Sequence, residues 1–251
     1  MNLDNSVVVI TGAAGGLGQA MAKRLAAQGA RLALLDLQAE SLNTLADELG
    51  RDKALPIVCG VTDEAQVDAA MAQVRQHFGR FDVLVNNAGI TRDALFLKFK
   101  DGELVSRMSL ANWQQVIDVN LTGVFLCGRA AAEQMIRAGN GGVLVNISSI
   151  SRAGNMGQTN YSATKAGVEA MSVAWAKELA RFGIRAASIS PGFIGTEMVR
   201  SMKPEALEKM TQGIPAKRLG EPDEIAATVQ FIIENDYISG RDFAIDGGLR
   251  L

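Results

Sequence analysis

The 251-residue chain has a single histidine and only two cysteines. One histidine, His77, excludes a site built from several histidines, and we expect no metal centre. Cys59 and Cys127 lie far apart in the sequence, each among apolar residues. This placement predicts buried free thiols rather than a disulfide or a metal pair.

The chain also has little net charge and no long apolar run. Its formal net charge is −2, and basic residues are interspersed with acidic ones. No apolar run reaches the ~18 residues of a membrane-spanning helix, and the polar start Met1-Asn2-Leu3-Asp4 shows no signal peptide. We therefore expect a cytoplasmic protein that binds neither nucleic acid nor membrane.

Short apolar runs alternate with amphipathic segments along the chain. The runs are nearly continuous in apolar residues, as strands covered on both faces must be: Val7–Ile10, Leu32–Leu35, Leu55–Val58, Val83–Val85, Val143–Ile147, Ile184–Ile189 and Phe243–Ile245. The predicted helices between them are Leu17–Gln28, Ala39–Leu49, Glu64–Phe78, Leu110–Arg137, Tyr161–Arg181 and Pro222–Glu234. This alternation predicts an α/β protein with a doubly wound parallel sheet of about seven strands.

Composition and length fit one domain over residues 1–251, because 48% of the residues are hydrophobic and can bury a sizeable core. Two segments, 91–109 and 193–220, depart from the alternation. Both follow the carboxyl ends of predicted strands, where folds of this class bind ligands. We interpret them as loops on the substrate side.

A glycine-rich turn separates the first predicted strand from the first helix. Gly12 permits the tight turn, Gly16 lets the backbone approach a pyrophosphate, and Gly18 lets the helix pack closely on the sheet. The amino end of the helix adds N–H groups and the positive end of its dipole. Together with Gly15 and Leu17, these residues predict a dinucleotide site of the Rossmann-like type.

The second strand ends at Asp36, 18 residues after Gly18. A carboxylate there can accept hydrogen bonds from both hydroxyls of an adenosine ribose and repels a 2′-phosphate. Basic residues that would bind that phosphate are missing, since Gly15 stands in the turn and Leu37 and Gln38 follow Asp36. NAD(H) is therefore favoured over NADP(H). If Asp36 only caps the strand end, the choice of cofactor stays open.

Tyr161 and Lys165 are four residues apart and project from one face of a predicted helix. An ammonium one turn away favours the phenolate, so the pair predicts a lowered tyrosine pKa. Bringing that pKa from about 10 to neutrality needs roughly 3–4 kcal/mol, which one lysine and a cofactor cation together could supply. The alternative is two ordinary polar residues on a solvated face.

Several further motifs occur in order along the whole chain. They are Asn86-Asn87-Ala88-Gly89, Asn120, Asn146-Ile147-Ser148-Ser149, Pro191-Gly192 and Asp246-Gly247-Gly248. With the glycine turn and the Tyr161–Lys165 pair, the sequence resembles a classical short-chain dehydrogenase/reductase. Within that family, Ile90-Thr91-Arg92-Asp93 and Gly157 to Tyr161 resemble the 3-oxoacyl-(acyl-carrier-protein) reductase branch.

The resemblance implies four catalytic residues. Tyr161 would move the proton at the substrate oxygen, Lys165 would bond the nicotinamide ribose, and Ser149 would hold the substrate oxygen. Asn120 would lie at a helix distortion and anchor a water that feeds protons through the ribose and Lys165. Ser148 is the alternative to Ser149, because the family's commoner spacing to the tyrosine selects it. Adjacent strand residues face opposite ways, so only one serine can point at the substrate.

The resemblance also implies further cofactor contacts. The expected residues are Asn87, Ala88 and Gly89 at the adenosine ribose, and Pro191, Gly192, Ile194 and Thr196 at the nicotinamide. In one respect the chain departs from the family, which usually carries Asp before the valine after strand three. Here Gly60 precedes Val61, so we expect adenine to be held by backbone and by Val61 packing alone.

The function implied is an NAD(H)-linked reductase of 3-oxoacyl thioesters or, in reverse, a 3-hydroxyacyl dehydrogenase. The substrate would be an acyl thioester on acyl carrier protein or coenzyme A, and the family implies a homotetramer. One alternative is an NAD-dependent dehydrogenase of another secondary alcohol, such as a sugar or polyol. A second is a protein that binds NAD without turnover.

Overall fold

The computed structural model describes residues 1–202 and 204–250; Lys203, inside the segment 193–220, and Leu251 lie outside them. The strands are β1 (Val7–Thr11), β2 (Arg31–Asp36), β3 (Ala54–Val58), β4 (Val83–Asn86), β5 (Leu97–Lys100), β6 (Glu103–Arg107), β7 (Gly142–Ile147), β8 (Ile184–Pro191) and β9 (Asp242–Ile245). The helices are α1 (Gly16–Ala27), α2 (Ala39–Leu49), α3 (Glu64–Phe78), α4 (Leu110–Ile117), α5 (Gly123–Ala138), α6 (Thr159–Glu178), α7 (Glu197–Arg200), α8 (Pro204–Gln212) and α9 (Pro222–Glu234).

The central sheet has seven parallel strands in the order β3-β2-β1-β4-β7-β8-β9. From β1 the chain winds outward to β3, then crosses back to β4 and winds the other way. The strand order therefore reverses between β1 and β4, and a crevice opens at their carboxyl ends. The predicted single α/β domain with a doubly wound sheet is confirmed.

Two apolar layers cover the two faces of the sheet. On one face α1, α2 and α9 bury their apolar stripes, and the Met21–Leu25 stripe of α1 is fully buried. On the other face α3 and α5 pack against the sheet, with Trp175 of α6 beside them. At the contact between α5 and α6, Gly128 lies so close to the Trp175 ring that a Cβ would collide with it. The core thereby fixes the strand ends that build the site.

The segment 91–109 contains a β-hairpin that the sequence analysis treated as a loop. β5 and β6 pair antiparallel, and every residue of both strands is exposed. Asp101 and Gly102 form the two-residue turn with φ of 53° and 84°, the conformation that Asp-Gly favours in hairpins. A period-two pattern was present in Leu97–Lys100, but a fully exposed strand lacks the continuous apolar run by which the other strands were recognised.

The other departures are also local. The segment 193–220 contains the short helices α7 and α8. The predicted helix Leu110–Arg137 is interrupted by a π-helical turn at Asp118–Thr122, and α6 ends at Glu178, before the predicted Arg181. A π-turn breaks the regular hydrogen-bond ladder of a helix, so the interruption gives Asn120 a position that an uninterrupted helix would not.

The two cysteines belong to the apolar layer on the α3 and α5 face of the sheet. Cys59 and Cys127 are buried free thiols, as predicted, and burial raises the pKa of Cys127 to about 12. Within residues 1–202 and 204–250 no group of three or more His, Cys, Asp or Glu could hold a metal ion. Over the same residues, no helix is both long and apolar enough to cross a membrane.

Candidate active site

The loops that follow β1 and β4 are tied together at the reversal point of the sheet. The Asn87 side-chain amide donates to the carbonyl oxygens of Thr11 and Gly12, at 3.0 Å each. The Thr11 hydroxyl accepts from the backbone N–H groups of Asn87 and Ala88. Gly12 has φ of +64°, and a Cβ there would lie 2.9 Å from Ala88 Cα. Only glycine fits both the conformation and the close approach.

A cleft of about 1080 Å³ runs along these strand ends. Most of the residues predicted to contact a cofactor line it: Gly12, Gly15, Gly16, Leu17, Asp36, Gly60, Val61, Asn87, Ala88, Gly89 and Thr196. The volume lies just above the usual upper limit of about 1,000 Å³ for small-ligand sites, which leaves room for a dinucleotide.

The amino end of α1 forms one wall of the cleft. Its N-cap is Gly15, which has no side chain to occupy the first N–H groups of the helix. Gly16 lies against Thr196, since a Cβ at Gly16 would be only 3.3 Å from the threonine side chain. Gly18 lies beneath the turn, where a Cβ would collide with the Gly12 carbonyl oxygen. The free helix terminus offers donors and a positive dipole end to an anion such as a pyrophosphate.

Asp36 lies at the end of β2 with its carboxylate in the cleft. One oxygen accepts from the Ala14 N–H at 3.1 Å, and the other from Leu37 and Gln38 N–H at 2.7 and 3.2 Å. A carboxylate oxygen has about two acceptor sites, so the oxygen that accepts from Ala14 retains capacity for a ligand, whereas the other already accepts two hydrogen bonds. Among the described residues that line the cleft, none is lysine or arginine.

Three of the four residues predicted at the nicotinamide, Pro191, Gly192 and Ile194, lie outside the cleft lining, whereas Thr196 is part of it. Pro191 pairs with Ile245 of β9, and the Gly192 N–H donates to the Ile245 carbonyl oxygen at 2.9 Å. Ile194 is buried and forms a parallel bridge with Gly220. Among the described residues that follow β8 and were predicted to contact the nicotinamide, only Thr196 lines the cleft.

Lys165 is a buried amine at the junction of α6 and β7. Its Nζ donates to the Ile147 carbonyl oxygen at 2.7 Å and lies 5.5 Å from the centre of the Tyr161 ring. Burial disfavours the charged form and lowers the pKa of Lys165 to about 8. The two residues therefore share one face of α6, and the reading as ordinary residues on a solvated face is wrong for Lys165.

The pKa of Tyr161 in the protein alone lies above its ordinary value. Burial raises it, and the negative charge of Asp93 raises it further, while a hydrogen bond with the Ser149 hydroxyl lowers it. The prediction that Lys165 helps to lower this pKa is therefore not reproduced by the residues of the chain alone. The physical reason is desolvation, which the spacing of two residues in a sequence does not reveal.

The two serines after β7 have different surroundings. The Ser148 hydroxyl donates to the Lys165 carbonyl oxygen at 2.8 Å. The Ser149 hydroxyl accepts from the Ser151 N–H at 3.1 Å, and its interaction with the Tyr161 phenol lowers the pKa of Tyr161. The neighbouring side chains thus face opposite ways, as expected on a strand, and Ser149 is the one beside the tyrosine.

Asn120 is fully buried in the π-turn, where its side chain contacts the segment after β4. Its amide oxygen accepts from the Ile90 N–H and its amide nitrogen donates to the Ile90 carbonyl oxygen, both at 2.8 Å. Gly89 lies between this amide and Lys165: a Cβ on Gly89 would be 3.4 Å from Asn120 Oδ1 and 3.7 Å from Lys165 Nζ. Because Gly89 also lines the cleft, it joins the cleft to the four candidate catalytic residues.

Other residues of the cleft lining were missed by the sequence analysis. They are Ala14, Gln19, Leu37, Gln38, Cys59, Thr62, Asp63, Gln66, Ile90, Val119 and Glu197. Most of them adjoin a predicted residue in the sequence, which is a usable signal. Gln38, Asp63 and Gln66 do not; Gln66 lies in the first turn of α3, where its side chain accepts from the Gly60 N–H.

The chain is similar to known proteins along nearly its whole length. A family model described as enoyl-(acyl carrier protein) reductase matches residues 12–250. A 3-oxoacyl-(acyl-carrier-protein) reductase of Thermotoga maritima is 42% identical over 254 residues, 99% of each chain. An acetoacetyl-CoA reductase of Synechocystis is 39% identical over 98% of this chain and 97% of that one. A (3R)-3-hydroxyacyl-CoA dehydrogenase of Rattus norvegicus is 37% identical over 99% and 98%.

The lowered pKa of Lys165 predicts a pH-dependent stability. The folded protein releases this proton near pH 8, whereas an exposed lysine of the unfolded chain holds it to an ordinary value of 10.5. Between those values the unfolded state binds more protons, so the contribution of Lys165 to stability rises with pH through this window. In Lys165→Met the cost of burying the charge is absent. The measured quantity is the free energy of unfolding of Lys165→Met minus that of wild type. We expect this difference to be about 3 kcal/mol more favourable to the variant at pH 7 than at pH 10.5.

Urea unfolding of both proteins at intervals from pH 7 to 10.5 measures this difference. Lys23→Met is the control, since Lys23 is an exposed lysine in a surface ion pair with Glu48, and its difference from wild type should change little with pH. A difference between wild type and Lys165→Met that is constant over the whole range would contradict the prediction.

Proposed function

The chain belongs to the short-chain dehydrogenase/reductase family, and we propose that it reduces 3-oxoacyl thioesters with a nicotinamide cofactor or, in reverse, oxidises 3-hydroxyacyl thioesters. The observation that carries the proposal is the contact between the Tyr161 and Ser149 hydroxyls beside buried Lys165. Hydride transfer at a carbonyl carbon needs a proton at its oxygen, and this arrangement puts a proton donor and a second hydroxyl side by side.

The residues of the cleft suit a dinucleotide. The open amino end of α1 fits the pyrophosphate, and Asp36 fits the adenosine ribose. Because Gly12 packs against Ala88 without a side chain, no side chain from that position enters the cleft. Gly89 connects this region to Lys165, which would hold the nicotinamide ribose. A dihydronicotinamide held there would supply the hydride.

The chain's own residues would handle the proton and the developing charge. In reduction, the Tyr161 hydroxyl donates its proton to the substrate carbonyl oxygen. The Ser149 hydroxyl donates a hydrogen bond to the same oxygen, and stabilises the alkoxide as negative charge develops there. Asn120 braces Ile90 and Gly89 and so fixes the wall next to Lys165.

The substrate class is supported by the named relatives, whose names specify acyl-carrier-protein or coenzyme A thioesters. They favour a thioester over the sugar or polyol alternative, and assembly of all four candidate catalytic residues favours turnover over binding alone. The segment that leads into the hairpin β5–β6 is tied to the residues just before α6: the Ala94 N–H donates to Gly157 O, and Gln158 Nε2 donates to Asp93 Oδ2, at 2.9 and 3.0 Å. We assign this hairpin to the substrate side of the site.

We propose NAD(H) rather than NADP(H) as the cofactor. A 2′-phosphate would meet the Asp36 carboxylate, and no lysine or arginine among the described lining residues would balance its charge. An unpaired charge of the same sign at close range disfavours binding by several kcal/mol. The choice between NAD(H) and NADP(H) depends on Asp36, whereas the use of a nicotinamide cofactor does not.

The homotetramer stays a prediction. Phe125 and Ile136 of α5 and Val173 of α6 are apolar and exposed, which supports the use of these helices in an interface. Light scattering at micromolar concentration tests it, and a stable monomer would contradict it.

The function is tested by oxidation of NADH and of NADPH with acetoacetyl-CoA and with acetoacetyl-acyl-carrier-protein, followed at 340 nm. We expect turnover of at least one thioester and a kcat/KM at least about tenfold higher with NADH. Asp36→Ala should narrow that ratio, because the repulsion of the 2′-phosphate is removed. Preference of the wild type for NADPH would contradict the assignment of Asp36, whereas no turnover of either thioester would contradict the proposed function.

The choice between the serines predicts opposite effects for two matched variants. Ser149→Ala removes the hydroxyl beside Tyr161 and should lower kcat by about 10²–10³-fold, the usual loss for one oxyanion donor. Ser148→Ala removes a bond to the Lys165 backbone and should leave kcat within a few-fold of wild type, with some loss of stability. Near-normal turnover in Ser149→Ala, together with a large loss in Ser148→Ala, would reverse the assignment.

A further inference from the structure

The far end of the cleft from Lys165 is formed by the loops that follow β2 and β3. These loops are neighbours, since the Cys59 N–H donates to the Asp36 carbonyl oxygen at 3.0 Å. Asp36 is the residue proposed to bind the adenosine ribose, so the adenine attached to that ribose must reach the residues just beyond it. Those residues are Leu37 on one loop and the segment from Gly60 to Gln66 on the other.

Gly60 keeps a slot open between two side chains. A Cβ at this position would lie 3.5 Å from Leu37 Cδ2 and 3.6 Å from Gln66 Oε1. Leu37 is 72% exposed although it is a large apolar residue, which makes it an apolar surface for a flat base. The slot is therefore apolar on one side and bounded by an amide on the other.

The Gln66 amide is held in one orientation by two hydrogen bonds. Its Oε1 accepts from the Gly60 N–H at 3.0 Å, and its Nε2 donates to Asp63 Oδ2 at 2.8 Å. Asp63 is itself fixed, because it is the N-cap of α3 and accepts from the Gln66 N–H at 3.1 Å. The donor end of the amide points to the carboxylate, so the oxygen must face Gly60 and the slot.

An amide oxygen has two lone pairs, and the Gly60 N–H uses one of them. We propose that the other accepts a hydrogen bond from the exocyclic amine of adenine, so that Gln66 determines specificity for the base and Asp63 acts as a positioning residue. The proposal rests on the proposed function, since it takes the cleft to bind a nicotinamide dinucleotide. It replaces the expectation that adenine is held by backbone and Val61 packing alone.

The chemistry distinguishes adenine from hypoxanthine. Hypoxanthine carries a carbonyl oxygen where adenine carries the amine, so the Gln66 oxygen would face a second acceptor instead of a donor. Facing acceptors lose the hydrogen bond and leave two polar groups unpaired. A site that accepts a hydrogen bond from the adenine amine should therefore bind NADH about tenfold more tightly than the hypoxanthine analogue of NADH. This ratio corresponds to about 1.4 kcal/mol.

Calorimetric titration with NADH and with reduced nicotinamide hypoxanthine dinucleotide tests the proposal in four proteins. They are wild type, Gln66→Met, Asp63→Ser and the control Gln73→Met. Methionine keeps the length and helix propensity of glutamine, and serine keeps an N-cap acceptor. Gln73 is an exposed glutamine on the same helix, outside the cleft lining.

We expect about tenfold preference for NADH in wild type and in Gln73→Met, a ratio near one in Gln66→Met, and an intermediate ratio in Asp63→Ser, where the amide can turn. Equal binding of the two dinucleotides by wild type, or an undiminished preference in Gln66→Met, would overturn the inference and leave the proposed function intact. A preference lost only in Asp63→Ser would assign the amine to the carboxylate instead, and would equally overturn it. Failure of wild type to bind either dinucleotide would overturn the proposed function together with this inference.

Discussion

The site depends on one buried hydrogen bond, from the Lys165 ammonium to the Ile147 carbonyl oxygen at the end of β7. It holds the amine under the Tyr161 ring and beside the cleft at Gly89. The position is fixed because α6 is tied to β7 at other points, where Ser148 donates to the Lys165 backbone and the Asn146 amide donates to Ser172. The packing of α6 on β7 thus determines the relative positions of Tyr161, Lys165 and the Ser149 hydroxyl.

The sequence was sufficient for the central sheet because its strands are buried on both faces and are therefore nearly continuous apolar runs. It was insufficient for β5–β6, whose residues are all exposed and whose strands contain no apolar run longer than two residues. The Asp101–Gly102 turn was a local signal that would have revealed the hairpin. The π-turn at Asp118–Thr122 could be anticipated only from the family resemblance, since a helical pattern of hydrophobicity continues through it.

Residues of the candidate site that belong to motifs could be named from the sequence, because each motif is contiguous. Asp63 and Gln66 could not, since their part in the cleft depends on how the start of α3 lies against the loop after β3. The raised pKa of Tyr161 in the protein alone was not visible in the sequence for a related reason. Spacing in a helix reveals a neighbouring charge, whereas burial, which dominates this pKa, is a property of the folded chain.

The most direct test is to measure the pKa of Tyr161 itself, which the chain makes possible because it has only two tyrosines. The other, Tyr237, is fully exposed, so Tyr237→Phe leaves Tyr161 as the single source of tyrosinate absorbance near 295 nm. The account predicts a pKa above the ordinary value for the protein alone, and a decrease of at least about two units when NAD⁺ is added, because positive charge then reaches the phenol. A pKa that is already low without NAD⁺, or one that NAD⁺ leaves unchanged, would contradict it.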